Sequence, residues 1–163
     1  MYKGLEHIAI ASTDPEDLAA WYEKYLGFSI CHRYGGNVFV KAPDGTMLEI
    51  IPGEGKRPDN EFRTLGIRHL AISVDDFDAA LGDLTSRNIE IENLVNAGGN
   101  RLDFFRDVEG NICHIIHREQ AIKALADLVS GAVSTYLWGA CFSILSLKTL
   151  TRELGHGFHV KFF

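Results

Sequence analysis

The stretch Gly4-Leu5-Glu6-His7-Ile8-Ala9-Ile10 returns later in the chain as Gly66-Ile67-Arg68-His69-Leu70-Ala71-Ile72. Each copy has a histidine at its centre, and His69 follows His7 by 62 positions. Apolar residues alternate with small or polar ones in both copies, which predicts a β-strand. An internal repeat of a strand is the first sign that the chain is built from a duplicated unit.

A second pair of similar stretches supports the duplication. The sequence DGTMLEII at 44–51 matches EGNICHII at 109–116, and in this alignment Glu49 stands opposite His114. The offset of 65 positions is close to that of the first pair. Two copies with so long a period are too few for a stacked repeat array, so we expect two half-domains that pack together with pseudo-twofold symmetry.

Composition restricts the class of protein. A chain of 163 residues, 46% hydrophobic and 23% charged, is typical of one globular domain with a single core. Its net charge of −6 provides no basic stripe for phosphates, so we expect no nucleic-acid partner. The three cysteines lack CxxC spacing, and the N-terminus does not resemble a secretory signal, so we expect reduced thiols and a cytoplasmic protein.

The order of predicted elements is the same in both halves. Each begins with a histidine-bearing strand, continues with a helix that starts at acidic residues, and ends with three short strands separated by glycine-containing turns. We therefore predict an α+β fold in which two βαβββ modules, about 3–53 and 65–118, form a domain at 1–119. A polar linker rich in proline and glycine joins them at 52–60.

The alternation of side chains along a strand places the repeated histidines on a common kind of surface. His7 shares one face of its strand with Ala9 and Ala11, whereas the isoleucines share the other face. The second copy divides in the same way around His69. The helices are expected to cover the isoleucine and leucine faces, and the small residues beside each histidine leave the opposite face hollow enough for a ligand.

Four side chains are therefore candidate metal ligands: His7, Glu49, His69 and His114. Imidazole nitrogens with a carboxylate suit one divalent transition metal ion, with positions left free for water or substrate. Zinc, nickel, cobalt, manganese and ferrous iron are all compatible with this donor set. A single histidine in a strand is more often structural, but four ligand-type residues at symmetry-related positions favour a metal site.

These motifs resemble a known family. The repeated G-[LI]-x-H-[IL]-A-I strand, the acidic helix start, Leu26-Gly27-Phe28 and the DG-x-x-LE strand are similar to the vicinal oxygen chelate superfamily. Its members include glyoxalase I, methylmalonyl-CoA epimerase, fosfomycin resistance enzymes, extradiol dioxygenases and bleomycin resistance proteins. The resemblance covers about residues 3–118. It implies that the two modules form an open, curved, mixed sheet around a divalent metal.

The resemblance also implies roles for single residues. The ligand positions of glyoxalase I fall on His7, Glu49, His69 and His114. Glyoxalase I and the epimerase have a glutamate at the last position, which acts as ligand and general base. Here that residue is His114, so Glu49 becomes the better candidate for the base, with His114 as the other candidate catalytic residue.

The predicted function follows from this resemblance. We expect a metal-dependent lyase or isomerase of the glyoxalase I type that acts on a small substrate with vicinal oxygens. Two alternatives remain open: an extradiol dioxygenase that uses non-heme iron, and a non-catalytic small-molecule binding protein of the bleomycin resistance kind. We also expect a homodimer, and the sequence leaves open whether the four ligands come from one chain or from two.

The last part of the chain extends beyond the resemblance. Residues 120–163 are predicted to form a C-terminal helical extension, and the uncharged run at 128–147 is about as long as a membrane span. Several serines dilute this run, and small residues recur in it every four positions, a pattern that favours close helix packing. A membrane anchor through 128–147 and a non-native extension are the alternatives.

Overall fold

The computed structural model describes residues 2–120 of the chain, and they form two modules with the same order of elements. The predicted α+β fold of paired βαβββ modules is confirmed. The extension predicted at 120–163 lies, from residue 121 on, outside the described residues. Within the described part no helix is long and apolar enough to cross a membrane. The elements are β1 (His7–Ser12), α1 (Pro15–Leu26), β2 (Ser29–Tyr34), β3 (Asn37–Lys41), β4 (Met47–Pro52), β5 (His69–Ser73), α2 (Phe77–Ser86), β6 (Ile91–Ala97), β7 (Asn100–Arg106) and β8 (Ile112–Arg118).

The eight strands form two mixed sheets of four rather than one hydrogen-bonded sheet. The strand order is β1-β4-β3-β2 in the first module and β5-β8-β7-β6 in the second. In each module the first strand runs parallel to the last one, and the remaining pairs are antiparallel. Within residues 2–120, β1 and β5 each pair on one side only, so each leaves an open edge.

The ends of the first helix are determined by local side chains. Asp14 is the N-cap, and its Oδ1 accepts hydrogen bonds of 3.1 Å from the backbone N–H groups of Glu16 and Asp17. Pro15 occupies the first helical turn, where its missing N–H costs nothing. Gly27 ends the helix with φ 68°, a left-handed conformation that glycine adopts without strain.

Strand pairing confirms the predicted division of each sheet into two faces. In the first module Ala9 lies opposite Glu49, and in the second Ala71 lies opposite His114, so each histidine-bearing strand shares a face with its ligand-bearing neighbour. The other face of both sheets is apolar and buried against the helices. Alternation with a period of two is sufficient to produce this separation.

One hydrophobic core joins both modules, and α1 is at its centre. This helix lies over β3 and its neighbours in its own module. Its Trp21 ring also stacks on Phe105 of β7, with 6.5 Å between ring centroids. Tyr22 is fully buried, and its hydroxyl donates a 2.9 Å hydrogen bond to Asp107, which follows β7. The helix therefore packs between elements of the two modules.

These contacts determine how the sheets are arranged. If the two sheets were joined edge to edge through β1 and β5, then β7 would lie about five strand spacings, or about 24 Å, from β3. No side chain of α1 spans that distance. We infer that the apolar faces of the two sheets are turned towards a common helix layer, and that the faces carrying the ligand candidates are directed away from it.

A half-buried carboxylate links the two modules. Glu109, in the turn between β7 and β8, accepts hydrogen bonds from the Ser12 hydroxyl at 2.6 Å and from the Thr13 N–H and hydroxyl at 2.7 Å. Burial by itself would raise the pKa of Glu109, but these hydrogen bonds and one from Asp14 outweigh it and lower the pKa to about 2. The ionised form therefore stabilises the native state.

Replacing Glu109 by glutamine is expected to lower the free energy of unfolding by about 1–3 kcal/mol at pH 7. Because the pKa of the native carboxyl is depressed, its contribution is complete above the ordinary value of 4.5 and is lost as the pH falls from there towards 2. Urea unfolding of wild type and variant at several pH values measures the difference, which should shrink below about pH 4.5.

Asp44 provides the matched control because it occupies the equivalent turn of the first module. Among residues 2–120, its carboxylate accepts hydrogen bonds only from Thr46, within its own turn. Replacing Asp44 by asparagine should therefore cost much less than replacing Glu109. Equal losses for the two variants would show that the link between the modules adds nothing to stability.

Candidate metal centre

The first pair of predicted ligands lies on β1 and β4. His7 Nε2 is 3.0 Å from Glu49 Oε2, and the side chains are 30% and 18% exposed, so both are accessible from solvent. His7 Nδ1 is 2.7 Å from Glu6 Oε2. A neutral imidazole has one donor and one acceptor nitrogen, so the neutral ring donates to one of these two carboxylates and has its lone pair towards the other.

The second oxygen of Glu49 has its own partner. Asn37, the first residue of β3, donates a hydrogen bond of 2.7 Å from its side-chain amide to Glu49 Oε1. Phe39, opposite Glu49 on the same strand, places its ring edge-on to His7 with 5.8 Å between centroids. Asn37 and Phe39 thus complete the surroundings of the first pair.

The second pair lies on β5 and β8. The rings of His69 and His114 have centroids 4.6 Å apart and are tilted by 39°. Phe104, which is opposite His114 on β7, contacts both rings at centroid distances of 5.9 and 4.9 Å. Phe104 is therefore the counterpart of Phe39 in the other module.

His114 is the most unusual of the four candidates. It is only 5% exposed, and neither of its ring nitrogens has a hydrogen-bond partner among the described residues. Burial, with smaller effects of His69 and Arg118, lowers the pKa of His114 to about 4. The imidazole is therefore neutral at physiological pH, which is the form that binds metals. Buried polar atoms without partners are rare in proteins and call for a specific explanation.

The structure brings the four candidates together as two pairs rather than as one cluster. Within residues 2–120, no group of three or more histidine, cysteine, aspartate or glutamate side chains is close enough to hold a metal ion. The arrangement of the modules explains this, since their ligand-bearing faces are directed away from the shared core. The four-ligand site therefore stays a prediction.

The donor atoms of each pair, His7 with Glu49 and His69 with His114, suit a divalent metal. Two donors that are each about 2.1 Å from a tetrahedrally coordinated ion lie about 3.4 Å from one another. The 3.0 Å between His7 Nε2 and Glu49 Oε2 is an ion-pair distance, and it is short of this separation by only about 0.4 Å. In the other half, His114 provides two buried nitrogens without partners among the described residues, next to the exposed ring of His69. Nitrogen and carboxylate donors of this kind suit transition metals rather than calcium.

Sequence reasoning missed the residues that contact the candidate ligands. Asn37, Phe39 and Phe104 were not predicted as site residues, although the repeat contains a usable signal. Phe39 lies ten positions before Glu49, and Phe104 lies ten positions before His114. An aromatic residue at the same distance from both ligands marks the middle strand of each module.

A cavity of about 480 Å³ lies beside the open edges of β1 and β5. It is lined by residues 8–13 and 67–70 and by part of the linker, so it includes His69 but not the other three candidates. Two apolar side chains at equivalent repeat positions, Leu5 and Ile67, precede these edges and are 81% and 77% exposed. Within residues 2–120 this region is an unpartnered surface with apolar character.

Comparison with known proteins agrees with the fold. The family model for the Glyoxalase/Bleomycin resistance protein/Dioxygenase superfamily matches residues 4–115. The chain is also similar to "Uncharacterized protein YaeR" of Escherichia coli (strain K12), with 33% identity over 118 residues that cover 66% of this chain and 91% of YaeR. The chain belongs to the glyoxalase, bleomycin resistance protein and dioxygenase superfamily.

Solved structures share this fold at lower identity. A glyoxalase/dioxygenase from Nostoc punctiforme superposes with a TM-score of 0.61 and 21% identity, covering 72% of this chain and 92% of its own. Oxidase ChaP-H2 gives a TM-score of 0.60 and 23% identity, with coverages of 74% and 98%. Members of the superfamily are often enzymes, and they typically bind a divalent metal.

Removing either His7 or Glu49 is expected to weaken metal binding by more than about 100-fold. Loss of a residue that only hydrogen-bonds to a metal ligand already costs about 10–100-fold. The measurement loads purified His7→Ala, Glu49→Ala and wild-type protein with Co²⁺ or Zn²⁺ and determines the metal per chain after dialysis. His117→Ala is the control, because Nδ1 of His117 contacts the Val74 carbonyl and not a candidate ligand. Unchanged occupancy in the His7 and Glu49 variants would exclude this site.

Proposed function

We propose that the protein is a divalent-metal-dependent enzyme of the glyoxalase type, in which His7 and Glu49 of one chain meet His69 and His114 of a second copy. The observation that carries the proposal is the separation of four ligand-type residues into two pairs, on faces directed away from the shared core. Each pair is half of a coordination set. A second copy is needed to bring complementary halves together.

The open edges of β1 and β5 support such a dimer. Unpaired strand edges carry rows of N–H and C=O groups that attract another strand. Leu5 and Ile67 stand at the start of these edges, with most of each side chain exposed. By twofold symmetry, contact between β1 of one chain and β5 of its partner occurs twice in such a dimer. This contact sets a His7/Glu49 face beside a His69/His114 face.

The residues at the site suggest how the reaction proceeds. A bound divalent ion would polarise a carbonyl oxygen of a substrate with vicinal oxygens. Oε2 of Glu49, which lies 3.0 Å from His7 Nε2, would accept the proton from the carbon next to that carbonyl as a general base once Glu49 is displaced from the ion. His114, neutral and buried, would serve as a ligand. Phe39 and Phe104 would line the site and exclude water from it.

A second function is favoured by the difference in exposure among the candidates. His114 is buried, whereas the other three candidates reach solvent. If only His7, His69 and Glu49 bind the ion, the set is two histidines and one carboxylate, which is typical of non-heme iron oxygenases. An extradiol dioxygenase acting on catechols is therefore the alternative function.

Two assays on the same preparations separate these functions. Exchange of the carbon-bound proton of 2-hydroxy carbonyl compounds with D₂O, followed by NMR on protein loaded with Zn²⁺, Ni²⁺ or Co²⁺, is expected to be catalysed. Glu49→Gln should slow the exchange by about 100-fold or more, since general bases contribute 10²–10⁴-fold. Oxygen uptake with catechols after anaerobic Fe²⁺ loading, without proton exchange, would instead support the dioxygenase. Metal-free protein with neither activity would support a binding role.

The shared site predicts complementation between inactive variants. The His7→Ala chain lacks an intact His7/Glu49 pair, and the His69→Ala chain lacks an intact His69/His114 pair. In a mixed dimer the two intact pairs meet, so one of the two sites is complete. Random reassociation should restore about one quarter of the wild-type metal sites, because half of the dimers are mixed and each has one good site of two. Metal per chain after co-refolding, with light scattering to verify the dimer, measures the recovery.

The control for this experiment mixes two variants of the same half. His7→Ala and Glu49→Ala both damage the first module, so their mixed dimers contain no complete site and should recover nothing. Recovery in neither mixture would indicate that the four ligands are not shared between chains. A monomeric wild-type protein with full metal occupancy would lead to the same conclusion.

A further inference from the structure

We infer that Asn37 is a positioning residue for the metal centre, which holds Glu49 so that a single oxygen, Oε2, is presented to the ion. This inference rests on the proposed function, because it assigns a role to a residue that does not touch the metal. The amide of Asn37 occupies Oε1 with a 2.7 Å hydrogen bond, while Oε2 lies 3.0 Å from His7 Nε2. The two oxygens of one carboxylate thus have different partners.

The geometry of β3 makes Asn37 suited to this task. Asn37 begins the strand, directly after the Gly35-Gly36 turn, and pairs with Tyr34 across that turn. It lies two positions before Phe39, so it shares the face of the sheet that carries Glu49. A short, branched amide at a strand end has little rotamer freedom to lose, so the hydrogen bond it makes is fixed by the backbone.

Glu49 has no other strong donor for Oε1 among the described residues. Its only ion-pair contact within them is with His7, through Oε2, and its side chain is 18% exposed. A carboxylate that is partly removed from water is stabilised by a donor to each oxygen. Without Asn37, Oε1 would compete with Oε2 for the cation or rotate towards solvent, and either change weakens a coordination site that depends on one oriented oxygen.

The second module has His114 in place of Glu49, so it has no carboxylate there that needs a donor, and the residue at the position of Asn37 is different. Pairing places Phe39 opposite Glu49 and Phe104 opposite His114, so Leu102 is the counterpart of Asn37. Leucine donates no hydrogen bond, and His114 has no partner for either nitrogen among the described residues. The two modules thus differ at both positions. The amide of Asn37 accompanies the carboxylate of Glu49, and the apolar side chain of Leu102 accompanies the imidazole of His114.

The test replaces Asn37 with the residue that the other module carries. Asn37→Leu keeps the size of the side chain and removes the donor, and it is expected to weaken Co²⁺ binding by about 10–100-fold, the usual cost of losing an outer-layer partner of a ligand. Competition with a chelator measures the affinity, and the visible spectrum of bound Co²⁺ reports the coordination. We expect the spectrum to change, because Glu49 binds in a different mode or not at all.

Two further variants separate positioning from folding. Leu102→Ala alters the equivalent position of the second module without removing a hydrogen bond, and it should leave Co²⁺ affinity within about threefold of wild type. Asn37→Gln restores an amide donor and should recover most of the lost affinity. The melting temperature of the metal-free proteins checks that each variant is folded.

The possible results are distinct. Asn37→Leu with wild-type affinity and spectrum would overturn the positioning role while leaving the metal centre intact. A wild-type protein that binds no Co²⁺ would overturn the metal centre itself, and the role of Asn37 with it. Loss of affinity in Asn37→Leu and Leu102→Ala alike, without recovery in Asn37→Gln, would show that the position matters for packing and not for the orientation of Glu49.

Discussion

The parallel pairing of the first and last strands of each module is the interaction on which the rest of the structure depends. Because Ala9 pairs with Glu49 and Ala71 with His114, each histidine strand shares a face with the strand that carries the other ligand candidate of its module. A shift of one residue in either pairing would send one ligand into the hydrophobic core. The buried isoleucines and leucines on the opposite face oppose such a shift, so the packing of the core and the location of the ligands are set by the same alternation.

The core that the two modules share determines where the ligand candidates of a single chain lie. Trp21 and Tyr22 of α1 pack against β7 and the residues that follow it, and Glu109 accepts hydrogen bonds from Ser12 and Thr13, which precede that helix. These contacts bring the apolar faces of both sheets into one core, on the opposite side of each sheet from the ligand candidates. A chain folded in this way carries two pairs of ligand candidates of different composition: an imidazole with a carboxylate on β1 and β4, and two imidazoles on β5 and β8.

The two modules have kept their fold while their ligand faces have diverged. Glu49 is accompanied by Asn37, whose amide satisfies one carboxylate oxygen, whereas His114 is accompanied by Leu102 and is buried with its nitrogens unpaired among the described residues. Phe39 and Phe104 are the common element, since each ring lies against the histidine of its module. A hydrogen-bond partner of this kind orients a carboxylate, so the two pairs of ligand candidates differ in their surroundings as well as in their composition.

From the sequence by itself, the duplication, the βαβββ order, the helix caps and the face on which His7, Glu49, His69 and His114 lie could all be predicted. These features depend on local periods of two and 3.6 residues and on capping side chains, and both can be recognised in a single sequence. The donor to Glu49, the aromatic partners of the histidines and the separation of the ligands into two pairs could not be predicted. They depend on which strands are neighbours and on how two sheets pack through Trp21 and Tyr22, and such contacts between distant residues exist only once the tertiary structure has formed.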